Sequence, residues 1–149
     1  MGIITKMRET FAHIYYPERI KRVAAICGEE LYVGGKSYVT RNTYLGKHVC
    51  FNGMSMSGNG KIEIGNYFHS GPGCQIITSF HNYEGDAVPY DNTFVDKDVQ
   101  IGDCVWLGNN VIILGGGSHR GRRGYPGRKY CMQRYTSICN SRRAPGCSV

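Results

Sequence analysis

The stretch Val99-Gln100-Ile101-Gly102-Asp103-Cys104-Val105-Trp106-Leu107-Gly108-Asn109-Asn110-Val111-Ile112-Ile113-Leu114-Gly115-Gly116 repeats itself every six residues. Ile101, Leu107 and Ile113 stand six apart. Gly102 and Gly108 follow the first two, and Val105 and Val111 stand four beyond them. The same grid extends back along the chain. It runs through Val33, Val39, Leu45 and Phe51, takes one inserted residue near 57–60, and resumes at Ile64 and Ile76 with Ser70 between them. After a longer break it returns at Val95. Val49, Ser55, Phe68, Cys74, Phe80 and Val99 occupy the second position. Gly46, Asn52, Gly65, Gly71 and Asp96 follow grid residues.

A period of six is neither the 3.6 of a helix nor the 2 of a lone strand. Fixed-period self-similarity marks a repeat architecture. The physical solution is a triangular coil with three six-residue sides, whose successive turns stack as parallel strands about 4.8 Å apart. Grid aliphatics fill the interior, and Gly or Asn eases the chain round each corner. Such a solenoid buries its faces only against neighbouring coils and needs a cap. Residues 1–32 supply one, with a short amphipathic helix expected near 17–27. Pro17 suits its first turn, Ile20, Val23, Ala24 and Ile26 its apolar side, and Gly28 its end. The repeats occupy 33–116. Residues 82–94, polar and turn-rich, must leave the coil as one protruding loop, a common seat of function.

Residues 117–149 depart from this plan. The net charge of +7 divides into −1 over residues 1–116 and +8 over the last 33, which hold no acidic residue. His119, Tyr125 and Cys131 fall on grid positions but do not continue the aliphatic row. A reading frame displaced by one base near codon 117 permits Ile, Ile and Val there and carries the repeat on in phase. The tail is accordingly read as frameshifted. The alternative is a genuine basic, solvated tail. If that tail binds nucleic acid or another acidic surface, its affinity should fall steeply with salt.

The length suits one domain. The opening residues hold no long apolar run and no stretch approaches a membrane span, so the expected location is the cytoplasm. Seven Cys without C-x-x-C spacing read as reduced thiols.

Three segments carry a family resemblance: Ile64-Gly65-Asn66-Tyr67-Phe68, Ile76-Ile77-Thr78-Ser79-Phe80-His81-Asn82-Tyr83, and the opening stretch 99–116. Together they resemble the hexapeptide-repeat acyltransferases, nearest the maltose and galactoside acetyltransferase-like group and the polysaccharide O-acetyltransferases. The resemblance implies an all-β, left-handed parallel β-helix and a homotrimer with active sites in clefts between subunits. It also implies acetyl-CoA as cosubstrate and a saccharide or other small-molecule hydroxyl as acceptor. Alcohols are poor nucleophiles near neutral pH, and a His is suited to take the hydroxyl proton. His81 matches the family's catalytic histidine. Trp106, Gly108 and Asn109 match its coenzyme-binding stretch, and Asn52 a polar residue near the acceptor or thioester. Asn82, Asp86 and Tyr90, with Glu84 and Asp91, are loop residues able to hydrogen-bond a polyol, or simply to be solvated.

No metal is expected. The β-helical carbonic anhydrases use an H-x-x-x-x-H pair, which this chain lacks, and His48 and His69 occupy different grid phases. No membrane span and no nucleic-acid partner are expected of the repeat region. The alternatives to an active acetyltransferase are a basic-tail binder of nucleic acid or another acidic surface and an inactive relic, the latter because the family's last coils supply coenzyme contacts and the closing end.

Overall fold

A computed structural model describes residues 14–82, 87 and 92–116, together with the backbone at 118–119 and 130–131. It is built of strands in parallel sheets with one short helix, α1, over residues 14–23. The helix ends earlier than the sequence suggests. Ile26 and Cys27 are drawn into the first strand instead, because the Ala25 and Gly28 N–H groups donate to the Thr43 and Leu45 carbonyls at 2.9 Å. Ile20 is its deeply buried anchor.

The chain then visits three faces in rotation. Face A stacks β1 (Ile26–Cys27), β3 (Thr43–Leu45), β6 (Ile62–Ile64), β11 (Val99–Ile101) and β14 (Ser118–His119). Face B stacks β2 (Tyr32–Gly35), β4 (Cys50–Asn52), β7 (His69–Ser70), β12 (Trp106–Leu107) and β15 (Tyr130–Cys131). Face C stacks β5 (Met54–Ser57), β8 (Cys74–Ile77) and β13 (Ile112–Leu114), extended by a bridge from Tyr38 to Ser55. Every pairing within these faces is parallel, the arrangement of a parallel β-helix.

The interior holds the expected grid. Val33, Leu45, Phe51, Ile64, Ile76, Ile101, Leu107 and Ile113 are buried, and Val39 packs against them. Ser70, the misfit, is also fully buried. Its hydroxyl accepts from the Asn52 N–H at 3.4 Å, and its register partner Phe51 packs edge to face on Phe68 at 5.9 Å. Among the described residues no buried side-chain N or O lacks a hydrogen-bond partner.

Two inward assignments require correction. Ser55 faces outward, and Met54 and Met56 fill the coil beside it. Phe51 to Met56 is one residue short of a side and Met56 to Ile64 two residues long, so the insertion near 57–60 is compensated at the corner where Gly53 takes φ 99°. Phe80 and Val95 are only half-buried, because they pair with each other in an antiparallel hairpin and leave the coil. The hairpin joins β9 (Ser79–His81) to β10 (Phe94–Asp96).

The corner between faces A and B is regular to an unusual degree. Glu30, His48, Tyr67 and Cys104 are its equivalent residues in four successive coils, and all adopt φ between 54° and 58°. Beside them the Asn66 Oδ1 accepts the Lys47 N–H at 2.9 Å, and the Asp103 Oδ1 accepts the Asn66 N–H at 2.7 Å. One coil's corner thus caps the next. Beyond Leu107 the spacing changes. Ile101 pairs with His119, 18 positions on, whereas Leu107 pairs with Cys131, 24 positions on.

Candidate functional site

His81 lies at the end of β9, on the hairpin that closes the loop. The hairpin is rooted in the coil by the Lys97 N–H to the Thr78 carbonyl at 2.8 Å and by the Lys61 N–H to the Asp98 Oδ1 at 2.7 Å. The Ser79 hydroxyl bridges the Asp96 carboxylate and the Asn59 N–H. His81 pairs with Phe94 across the two strands, and their rings sit 4.6 Å apart. The imidazole is exposed on a hydrogen-bonded two-stranded base, where it can reach a group outside the coil. Next to it, the Asn82 N–H donates to the Thr93 carbonyl at 3.1 Å and the Asn82 Nδ2 to the Thr93 hydroxyl at 3.2 Å. Asn82 therefore helps close the loop. Asp86 and Tyr90, with Glu84 and Asp91, lie outside the described residues.

A second group gathers on the outer side of face B. Tyr32, Cys50, His69 and Trp106 are register partners in four successive coils. The Asn52 Nδ2 donates to the His69 Nε2 at 3.3 Å, and the His69 ring meets Trp106 edge to face with centroids 6.4 Å apart. Burial pushes the neighbouring Cys50 thiol above its ordinary range, which disfavours a thiolate there. Sequence reasoning missed His69. The available signal was its spacing from Trp106, equal to that from Ser70 to Leu107, which puts both on one outward row.

Gly108 follows on the same strand edge. A Cβ built there meets nothing within 4 Å, so the backbone is open to a ligand. Asn109 is exposed, but its Oδ1 is turned back against Gly71 of the coil below, a structural contact at the B–C corner. Asn110 makes the same contact with Gly73. Trp106 and Gly108 thus share one outward strand edge, whereas Asn109 is committed at least in part to the corner.

The two groups do not meet within one chain. The hairpin leaves from the corner between faces C and A, and that corner is opposite face B in a three-sided coil. His81 and Trp106 therefore lie on opposite flanks.

No family model matches this chain, and no solved structure matches it.

His48 and His69 lie on separate columns, His48 at the A–B corner and His69 on face B. Among the described residues no three His, Cys, Asp or Glu side chains are grouped to hold a metal ion, and no helix is long and apolar enough to cross a membrane.

Proposed function

We propose that this chain is a left-handed β-helical acetyltransferase that moves acetyl from acetyl-CoA to a hydroxyl of a sugar or polysaccharide precursor. One observation carries the reading: an exposed His81 on a paired hairpin on one flank and a cluster of Asn52, His69 and Trp106 on the other. Such half-sites complete each other when copies assemble in a ring, which supports the homotrimer implied by the family resemblance. Left-handed coiling rests on that resemblance alone.

In this reading acetyl-CoA supplies an activated thioester, held along the Trp106 and Gly108 edge of face B. His81 from a neighbouring copy accepts the acceptor's hydroxyl proton as its oxygen attacks the carbonyl carbon. The carbon–sulfur bond breaks, and the proton passes from His81 to the departing thiolate. No covalent enzyme species is needed, since holding both reactants in one cleft provides much of the acceleration. Asn82 shapes the cleft rim.

A second reading, an inactive relic of such an enzyme, is favoured by the change from 18 to 24 positions beyond Leu107. The test is thiol release from acetyl-CoA by the purified chain with a panel of mono- and oligosaccharides. Acceptor-dependent release that disappears in His81→Ala is the expected result. No release with any acceptor supports the relic, and undiminished release in His81→Ala removes His81 from the mechanism.

A further inference from the structure

We propose that His69 is a positioning residue for acyl transfer, holding the Asn52 side-chain amide so that its second N–H is aimed outward beside Trp106 at the thioester carbonyl. The inference rests on the acetyltransferase reading above and goes beyond it, since nothing in the family resemblance assigns a role to His69.

The Asn52 Nδ2 can only donate, so at 3.3 Å the His69 Nε2 must accept. This contact selects the imidazole tautomer that carries its proton on Nδ1. It also fixes which way the amide points. Without a partner an exposed amide turns freely, and its oxygen and nitrogen exchange places. With Nδ2 tied to His69, the Asn52 Oδ1 lies over Gly34 of the preceding coil. A side chain at Gly34 would occupy that space, so the absence of a Cβ there is part of the arrangement. The amide is clamped between two coils, with Gly34 on one side and His69 on the other. One Nδ2 hydrogen remains outside the clamp.

His69 is in turn held by its neighbour. The Trp106 ring meets it at 63°, edge to face, which restricts rotation of the imidazole. Backbone register makes the three residues one unit, since His69 pairs with Cys50 on β4 and with Trp106 on β12. The chemistry needs such a donor. Negative charge grows on the thioester oxygen as the hydroxyl attacks, and a preoriented N–H stabilises it more than one that must first turn.

The experiment compares His69→Gln, His69→Phe, Asn52→Ala and the His69→Phe/Asn52→Ala pair in the full chain. Gln retains an acceptor oxygen for the Asn52 N–H, and Phe retains the ring against Trp106 without the acceptor. The expected result is a fall in kcat of about tenfold for His69→Phe, the size of one well-placed hydrogen bond. KM for the acceptor is unchanged, Gln restores most of the rate, and the double variant is no worse than Asn52→Ala. A second readout does not depend on turnover. Nitrogen-15 NMR of the His69 imidazole should show the Nδ1–H form in the unaltered chain and a mixture of tautomers in Asn52→Ala. Full kcat in His69→Phe, additive losses in the double variant, or a tautomer indifferent to Asn52 overturns the proposal. Absence of transfer by the unaltered chain overturns the acetyltransferase reading itself, and the role of His69 falls with it.

Discussion

The His48 ring lies flat on the Tyr67 ring, with centroids 4.6 Å apart and planes 8° from parallel, although each residue sits in the left-handed backbone region. The His48 Nδ1 also contacts the Glu30 carboxylate at 2.7 Å. Side-chain contact between coils thus offsets backbone strain at a corner where most chains would place Gly or Asn. Left-handed backbone costs a residue with a Cβ roughly 1–2 kcal/mol. Cys104 shares this conformation at φ 57° without a ring partner. Cys104→Gly should be as stable as the parent or more so, whereas Tyr67→Ile should lose about 2 kcal/mol or more by adding β-branching and removing the stack. Urea unfolding of the three proteins checks both.

The register in the second coil gives a sharper contrast. Met56→Ala removes a buried side chain and should cost about 2–5 kcal/mol, while Ser55→Ala, one residue away and exposed, should change stability by no more than about 0.5 kcal/mol. Equal losses in thermal melts would return Ser55 to the interior.

Alkaline pH should weaken the fold through its thiols. Burial raises Cys27, Cys50 and Cys74 above the ordinary value of 9.0, partly offset at Cys27 by Lys21 and at Cys74 by backbone hydrogen bonds. The folded chain therefore holds these protons more tightly than the unfolded chain. Their contribution is intact below that value and is lost as pH climbs through it. Melting temperature under reducing conditions should decline above about pH 9, and less so in Cys74→Ala relative to its own neutral-pH value.

The gene makes a prediction independent of the protein. Read one base out of phase, codons 117–131 should encode aliphatic residues at the positions of His119, Tyr125 and Cys131. Nucleotide sequencing in three frames decides this, and stop codons in the displaced frame would establish the basic tail as a real feature.

The faces and the corners were legible because a six-residue period has few physical solutions, and the break in that period marked where the chain leaves the coil for the hairpin. The register near Met54 and Met56 was not, since the loss of one residue at Gly53 and the gain of two before Ile62 nearly cancel in a simple count. Phe80 and Val95 kept the right hydrophobicity and phase, yet pair with each other, because the loop needs a two-stranded base. At the candidate site, His81 was marked by the motif that carries the family resemblance. His69 was not, since its contacts are with Asn52 and Trp106, 17 and 37 positions away, which only stacking brings together.

The hairpin at Ser79–His81 and Phe94–Asp96 has one more consequence. Ile64 and Ile101 remain face to face although 37 residues separate them, and the coil resumes as if the excursion had not occurred. The excursion is thus a detachable cassette, seated in a socket that keeps its own time. Segments of other lengths and chemistries can be exchanged at its tip while the socket keeps His81 in place. The sequence of the excursion can then diversify without renegotiating the fold.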